Sequence, residues 1–492
     1  MRDKKQTYEE YLKDESGLKG WSDLFYFPEN VNDLKDIIKN LCSKKEKITV
    51  QGNRTGISGG AVPRGGAVIT TQKLNRVLEF EFDADKKEGY LTLEAGVTLE
   101  EITKGLKAKR FDTSLWSEKS KLHLENYRHS DILLFFPPNP TETTATIGGM
   151  TACNTSGSNA YGYGKLNNYI ESIEIILGEA TVLLDRKETE YNSIQQKMLY
   201  GHKNDLKYDH IIDIFCGSEG YLGVISQVKI KLMYQPAHSW GVLLPFEDAE
   251  IMINFVKDIE DEEVTCIKSI DLFNSHTIHI INAFKTTVTS FADLPHMNMD
   301  KPFYMYLEIS HDSEDMLIQS LEAIHKHLDI YAEDALVATS PNELARFKKI
   351  WHCAIECIEM MPKNITIDIP GLDVIVPMSI YEEILGMMAK DIHKKDIQMM
   401  MLSHIGIGHI NVRLFPKDKE EKTMANEILQ KWLMHIKQCE CQYAGEFGTG
   451  VLNAKMAWIL FPDYFKEMRL TKNIVDPLHI FSPHLFAGQE DK

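Results

Sequence analysis

Apolar side chains recur every three or four positions through residues 31–44, VNDLKDIIKNLCSK, and again through 99–108, so both stretches are expected to be amphipathic helices. Shorter apolar runs at 47–50, 67–71, 89–94, 169–177 and 181–184, and the run ending near 232, are expected to be strands. In this first half, glycine-rich turns sit at strand ends. Beyond about residue 234 the rhythm changes. Helical spacing at 247–259, 315–328, 342–360 and 380–393 alternates with strand-like runs at 302–309, 373–376 and 398–402, and glycine becomes scarce. The pattern predicts an α+β fold whose second part is a cap or substrate domain. Residues 111–132 are polar, carry aromatics and show no period, and read as an insertion. For Trp116 and Tyr127 within it two readings stand: a roof or partner-facing surface, or a lid that touches no ligand.

Three glycine motifs carry the chemistry of the first half. Residues 137–164, PPNPTETTATIGGMTACNTSGSNAYGYG, mix proline, glycine and small polar residues with almost no long charged side chains. Such a run forms neither a long helix nor a buried strand. It is expected to be an ordered loop with a short helix, its backbone N–H groups facing something large and polar. QGNRTGISGGAVPRGG at 51–66 follows a predicted strand directly, and GSEGYLGVI at 217–225 leads into another. A large phosphorylated cofactor accounts for all three together.

Composition narrows the class. A chain of 492 residues with 43% hydrophobic and 26% charged residues holds about two to three ordinary domains. The net charge of −18 argues against nucleic acid and anionic membrane as partners. The charged start MRDKKQTYEEYLKDESG has no apolar core, and no run is long enough to span a bilayer, so a soluble, cytoplasmic protein is expected. Eight cysteines are scattered without a CxxC, which points to reduced, buried thiols rather than a cluster or zinc ribbon. Cys353 and Cys357, at helical spacing, are assigned to core packing.

The motifs also resemble a family. GNRTGISGGAVP at 52–63, LNRVLEF at 74–80, EAGVTLEE at 94–101, FPPNPTETTATIGGMTACNTSG at 136–157, YGYG at 161–164 and GSEGYLGVI at 217–225 resemble, in order and spacing, the PCMH-type FAD-binding domain of the vanillyl-alcohol-oxidase flavoproteins. Within that group the chain looks like the glycolate oxidase flavin subunit and the D-lactate and D-2-hydroxyglutarate dehydrogenases. LDVIVPMS at 372–379, HIGIGHIN at 404–411, GEFGTGVLNAK at 445–455 and VDPLHIFSP at 475–483 fall where that branch has its cap strand, metal loop, catalytic loop and C-terminal flavin contact. The resemblance implies a lead segment at 1–20, an FAD-binding domain at 21–235, an α+β cap domain at 236–440 and a C-terminal segment at 441–492 that returns to the flavin.

Carried over residue by residue, it implies that Gly52, Asn53, Arg54, Thr55, Gly56, Ile57, Ser58 and Gly59 wrap the FAD pyrophosphate. Pro137, Pro138, Gly148, Gly149, Asn154, Ser156, Gly157 and Gly164 would line the flavin and ribityl chain, and Glu219, Gly220, Gly223 and Ile225 the adenosine half and the sheet beneath it. The first glycine loop has no histidine, so FAD is expected to be held without a covalent bond.

Oxidising a 2-hydroxy acid needs a hydride acceptor, a base for the hydroxyl proton and positive charge for the carboxylate. The family's metal loop usually reads HxGDGNxH, with a glutamate and a histidine from a later EHG. Here His404, Gly406, Gly408 and Glu446 match, but Asn411 and Phe447 replace two histidines, His409 stands for an asparagine, and Ala354 for a carboxylate-binding arginine. Two readings stay open. In one, His409 or His404 is catalytic and His404, Asn411 and Glu446 hold a zinc, manganese or iron ion; in the other, metal and base are gone. Arg413 or Arg346 would replace the missing arginine. The resemblance implies a dehydrogenase of a small 2-hydroxy acid that hands electrons to an electron-transfer flavoprotein or an iron–sulfur subunit. A flavin relay subunit and an oxidase of neutral or aromatic alcohols are the alternatives, and a homodimer stays open as the oligomeric state.

Overall fold

The computed structural model describes residues 6–187, 210–261, 264, 266–295, 297, 300–328, 334–360, 370–439, 442–443 and 448–486. By its internal contacts the chain divides into two units: residues 1–156, 165–235 and 446–492, and residues 157–164 and 236–445.

The first unit contains two sheets. Strands β1 (Leu24–Tyr26), β2 (Ile48–Gln51) and β3 (Ala67–Thr70) pair in parallel in the order β1-β3-β2. The helix Val31–Ser43 starts where the Asn30 side chain accepts the Asp33 N–H, and its buried stripe of Leu34, Ile38 and Leu41 packs on Ile48, Ala67 and Ile69. Strands β4 (Val77–Asp83), β5 (Glu88–Glu94), β6 (Leu134–Phe135), β7 (Ile170–Leu177), β8 (Ala180–Asp185) and β9 (Val224–Tyr234) form an antiparallel sheet in the order β4-β5-β9-β7-β8, with β6 also paired to β9.

The segment 111–132 is part of this unit's core. Ser117 caps a helix, Glu118–His129, whose polar composition hides it from a hydrophobic-period reading. Trp116 is buried and its Nε1 donates to the Val77 carbonyl at 2.6 Å. The buried Tyr127 hydroxyl donates to the Leu106 carbonyl and accepts the Leu134 N–H. Both aromatics are anchored inside their own unit.

The last part of the chain closes the same unit. After helices Ala454–Leu460 and Pro462–Val475, Phe481 bridges Ile48 in parallel, and the Ser482 N–H donates to the Ile48 carbonyl at 2.7 Å. Lys472, wholly buried, fixes this segment: its ammonium donates to the carbonyls of Tyr221 and Phe481 and pairs with Asp476 at 2.6 Å. Burial pushes its pKa down to about 8 against the pull of Asp476.

The second unit is one antiparallel sheet with helices. Strands β10 (His238–Phe246), β11 (Ile267–Asn274), β12 (Phe303–His311), β13 (Leu336–Ala338), β14 (Gly371–Ile375), β15 (Gln398–Ser403), β16 (His409–Phe415) and β17 (Gln442–Tyr443) run in the order β13-β10-β12-β11-β15-β16-β14-β17. Its core joins Phe273 of β11, Met400 and Leu402 of β15, and Trp351, Cys353, Ala354 and Cys357 of the helix Pro341–Met360. The cysteine pair is therefore core, and the methionine run lies on a strand with Met400 and Met401 buried. Among the described residues no helix is long and apolar enough to cross a membrane.

Candidate functional site

In the first unit, β2 runs straight into the glycine stretch. The N–H groups of Asn53 through Gly60 donate to no group among the described residues. Arg54 takes the left-handed conformation with φ 61°, a strain that costs a non-glycine residue about 1–2 kcal/mol. Its guanidinium lies 4.4 Å from the Tyr11 ring centre, yet Nη1 is buried without a partner. A Cβ at Gly52 would overlap the Thr146 hydroxyl, whereas a Cβ at Gly56 would meet nothing, so the loop is docked on one side and open on the other. Orphaned donors and an under-used guanidinium are what a pyrophosphate would satisfy, so the residues present fit FAD.

The neighbouring pieces hold this loop. Asn53 donates to the Thr144 carbonyl at 2.6 Å and accepts from Gln72. Thr146 caps the short helix Ile147–Cys153 through the Gly149 N–H, and a Cβ at Gly148 would press on Ala95, while one at Gly149 would meet only Thr146 Oγ1. Pro137, Pro138 and Ser156 are buried, and Asn154, at φ 48°, accepts the Asn167 N–H. The Ser58 carbonyl accepts the N–H groups of Val451 and Leu452. The Glu219 carboxylate accepts those of Thr449 at 2.5 Å and Gly450 at 2.7 Å, and burial raises its pKa to about 7 against these bonds. Gly220 is left-handed, while Gly223 and Ile225 serve the β7–β9 packing, a Cβ at Gly223 meeting Leu177 and Ile176. Thr55 and Ile57 are half-buried in the open part of the loop. Gly157 and Gly164 belong to the short segment grouped with the second unit, both at positive φ.

The second unit places two buried histidine–aspartate pairs side by side. His404 follows β15, and its Nδ1 lies 2.6 Å from Asp271 Oδ1 of β11. His409 opens β16 with Nε2 at 2.8 Å from Asp373 Oδ1 of β14, and its Nδ1 accepts the His404 N–H at 3.3 Å. An ionised carboxylate only accepts, so Asp271 sets the proton of His404 on Nδ1 and leaves Nε2 as the basic nitrogen. Both nitrogens of His409 are engaged, and it holds the turn that presents His404. The two rings stack at 5.4 Å, and Trp351 covers His404 at 4.2 Å and 13°. The turn depends on Gly408: at φ 70° it has no room for a Cβ beside the Val376 carbonyl.

Asn411 is buried opposite Asp373, its N–H donating to the Ser403 hydroxyl. Glu446, like Phe447, lies outside the described residues. Among the described residues no group of three His, Cys, Asp or Glu side chains is placed to hold a metal ion. Of the three expected ligands, the described residues thus include an imidazole whose Nδ1 serves Asp271 and one amide. Ala354 sits in the core, Arg346 is exposed, and Arg413 packs against Gly371. Neither Asp271 nor Asp373 belongs to a motif; the sequence signal for each is a carboxylate inside an apolar run, SIDLF and LDVIV.

Residues 235–485 match the model described as FAD linked oxidases, C-terminal domain, and residues 22–116 match an FAD binding domain. The chain is 26% identical to a D-lactate dehydrogenase of Archaeoglobus fulgidus, covering 93% of this chain and 89% of that one. It is 20% identical to a D-2-hydroxyglutarate dehydrogenase of Stutzerimonas stutzeri, covering 94% and 90%. The fold is that of p-cresol methylhydroxylase, with a TM-score of 0.69 at 13% identity over 98% of this chain and 92% of that one. The match over 235–485 spans half the chain, and the protein belongs to the FAD-linked oxidases, a family of FAD-dependent oxidoreductases.

Proposed function

We propose that this FAD-dependent oxidoreductase oxidises a small 2-hydroxy acid of the D-lactate or glycolate type and passes the electrons to a protein partner, an electron-transfer flavoprotein or an iron–sulfur subunit. The observation that carries the reading is the His404–Asp271 pair. The names of the relatives support the substrate class. FAD, held without a covalent bond, supplies the hydride acceptor at N5. Asn53 to Gly59 hold its pyrophosphate through backbone N–H groups and the Arg54 guanidinium. His404 Nε2 takes the hydroxyl proton, and Asp271 stabilises the imidazolium that results. His409 and Asp373 fix the backbone from which His404 acts, and Trp351 fixes the ring plane.

A second reading, an oxidase of neutral or aromatic alcohols, is favoured by Ala354, buried where the resemblance puts a carboxylate-binding arginine. Anaerobic reduction of the flavin separates the two. The visible flavin band is expected to bleach on adding D-lactate, glycolate or D-2-hydroxyglutarate and to persist with neutral alcohols. His404→Asn is expected to slow bleaching about 10²- to 10⁴-fold with flavin content unchanged. Bleaching by neutral alcohols alone would select the second reading, and a His404→Asn variant as fast as the parent would remove His404 from the chemistry.

A further inference from the structure

We propose that the first unit carries a second anion site, for a phosphate group, in the pocket lined by Lys47, Thr49, Arg64, Gly65, Pro483 and His484. The pocket encloses about 180 Å³, room for a tetrahedral oxyanion. It lies away from the cofactor loop. Lys47 precedes β2, and Arg64 and Gly65 end the glycine stretch just before β3, whereas residues 52–59, assigned to the pyrophosphate, follow the other end of β2, a four-residue strand about 13 Å long.

Three observations point to an anion. Lys47 and Arg64 form no ion pair among the described residues, not even with Glu46, in a chain whose net charge is −18. Arg64 does touch the Trp21 ring, 5.7 Å from its centre, a contact that leaves the guanidinium edge available. The Nε2 atom of His484 is buried with no hydrogen-bond partner, which costs about 1–3 kcal/mol unless something satisfies it. Burial foremost, and then the charges of Arg64, Lys47 and Lys472, all positive, drive the pKa of His484 down to about 4. Lys472 is committed to Asp476, so the unmatched charge is that of Lys47 and Arg64. A phosphate placed between them would pair bidentately with the guanidinium, meet the ammonium, and give His484 Nε2 an acceptor as that ring gains a proton.

The test uses the FAD-loaded protein, whose pyrophosphate loop is already filled, with chloride at matched ionic strength as the control. Inorganic phosphate and glycerol phosphate are titrated separately by calorimetry, and His484 is followed by imidazole ¹⁵N NMR. Saturable binding is expected, with Lys47→Gln and Arg64→Gln each weakening it about tenfold or more and flavin content unchanged. The His484 resonances are expected to titrate at higher pH when phosphate is present. Binding of both probes identifies a phosphomonoester site and binding of inorganic phosphate alone a free-ion site. No saturable binding beyond chloride, binding untouched by both substitutions, or a His484 titration indifferent to phosphate would overturn the proposal.

Discussion

At the scale of single residues, the cofactor loop shows how strain and unmet bonding reveal function. Arg54 sits in a conformation that most side chains avoid and still leaves one guanidinium nitrogen buried and unsatisfied. A phosphate would satisfy the second of these. Arg54→Ala is therefore expected to weaken FAD binding about ten- to a hundredfold, an ionic hydrogen bond being worth about 1.5–3 kcal/mol, while the apoprotein melts at or above the parent temperature. Flavin fluorescence titration of the apoprotein reads the first and calorimetry the second; unchanged affinity would mean that the guanidinium does not meet the pyrophosphate. Residues of this kind were legible because glycine, asparagine and arginine stand in a tight, ordered motif. Asp271 was not. Its place inside the apolar run SIDLF marks it as a buried carboxylate, but its partner is not legible until the sheet order brings β11 beside β15 and sets it against His404.

Elements show a similar division. The helix Val31–Ser43 and the strands flanking the glycine stretch follow from period and punctuation alone, since each buries one regular stripe. The helix Glu118–His129 does not, because only Leu124, Tyr127 and Ser120 of its twelve residues are buried and the rest, Leu122 apart, is polar or charged. Strand β16 and its turn are decided by Gly408, whose positive φ lets His404 and His409 lie one above the other. Gly408→Ala is expected to destabilise the protein by about 1–3 kcal/mol, through left-handed strain and collision with the Val376 carbonyl, and to lower turnover with it. Chemical denaturation measures the first; a fully stable Gly408→Ala protein would show that the turn has another solution.

For the whole molecule, the α+β class was readable from the alternation of strand and helix signals, whereas the return of the chain's last part was implied by the family resemblance alone: no local period marks that residues 446–492 group with the unit begun at the N-terminus. Glu219 makes that return pH-sensitive. Its pKa of about 7 stands above the ordinary 4.5, so between these values the unfolded chain has released a proton that the folded one still holds. Stability of the flavin-free protein is thus expected to fall as pH rises from about 4.5 to 7, by up to about 3 kcal/mol, and to level off above. Urea denaturation across that range checks it, with Glu219→Gln expected to flatten the slope; an equal slope in both proteins would assign the dependence elsewhere. The stitch of Phe481 to Ile48, locked by the buried Lys472, also sets a schedule during synthesis. At about 5–20 residues per second a ribosome delivers the whole of residues 236–445 after β2 has emerged and before its last partner exists. The second unit has all its strands while the first still waits with an open sheet edge. The edge of β2 therefore stays unpaired until the last residues of the unit emerge, and that edge is where a chaperone would find the nascent chain.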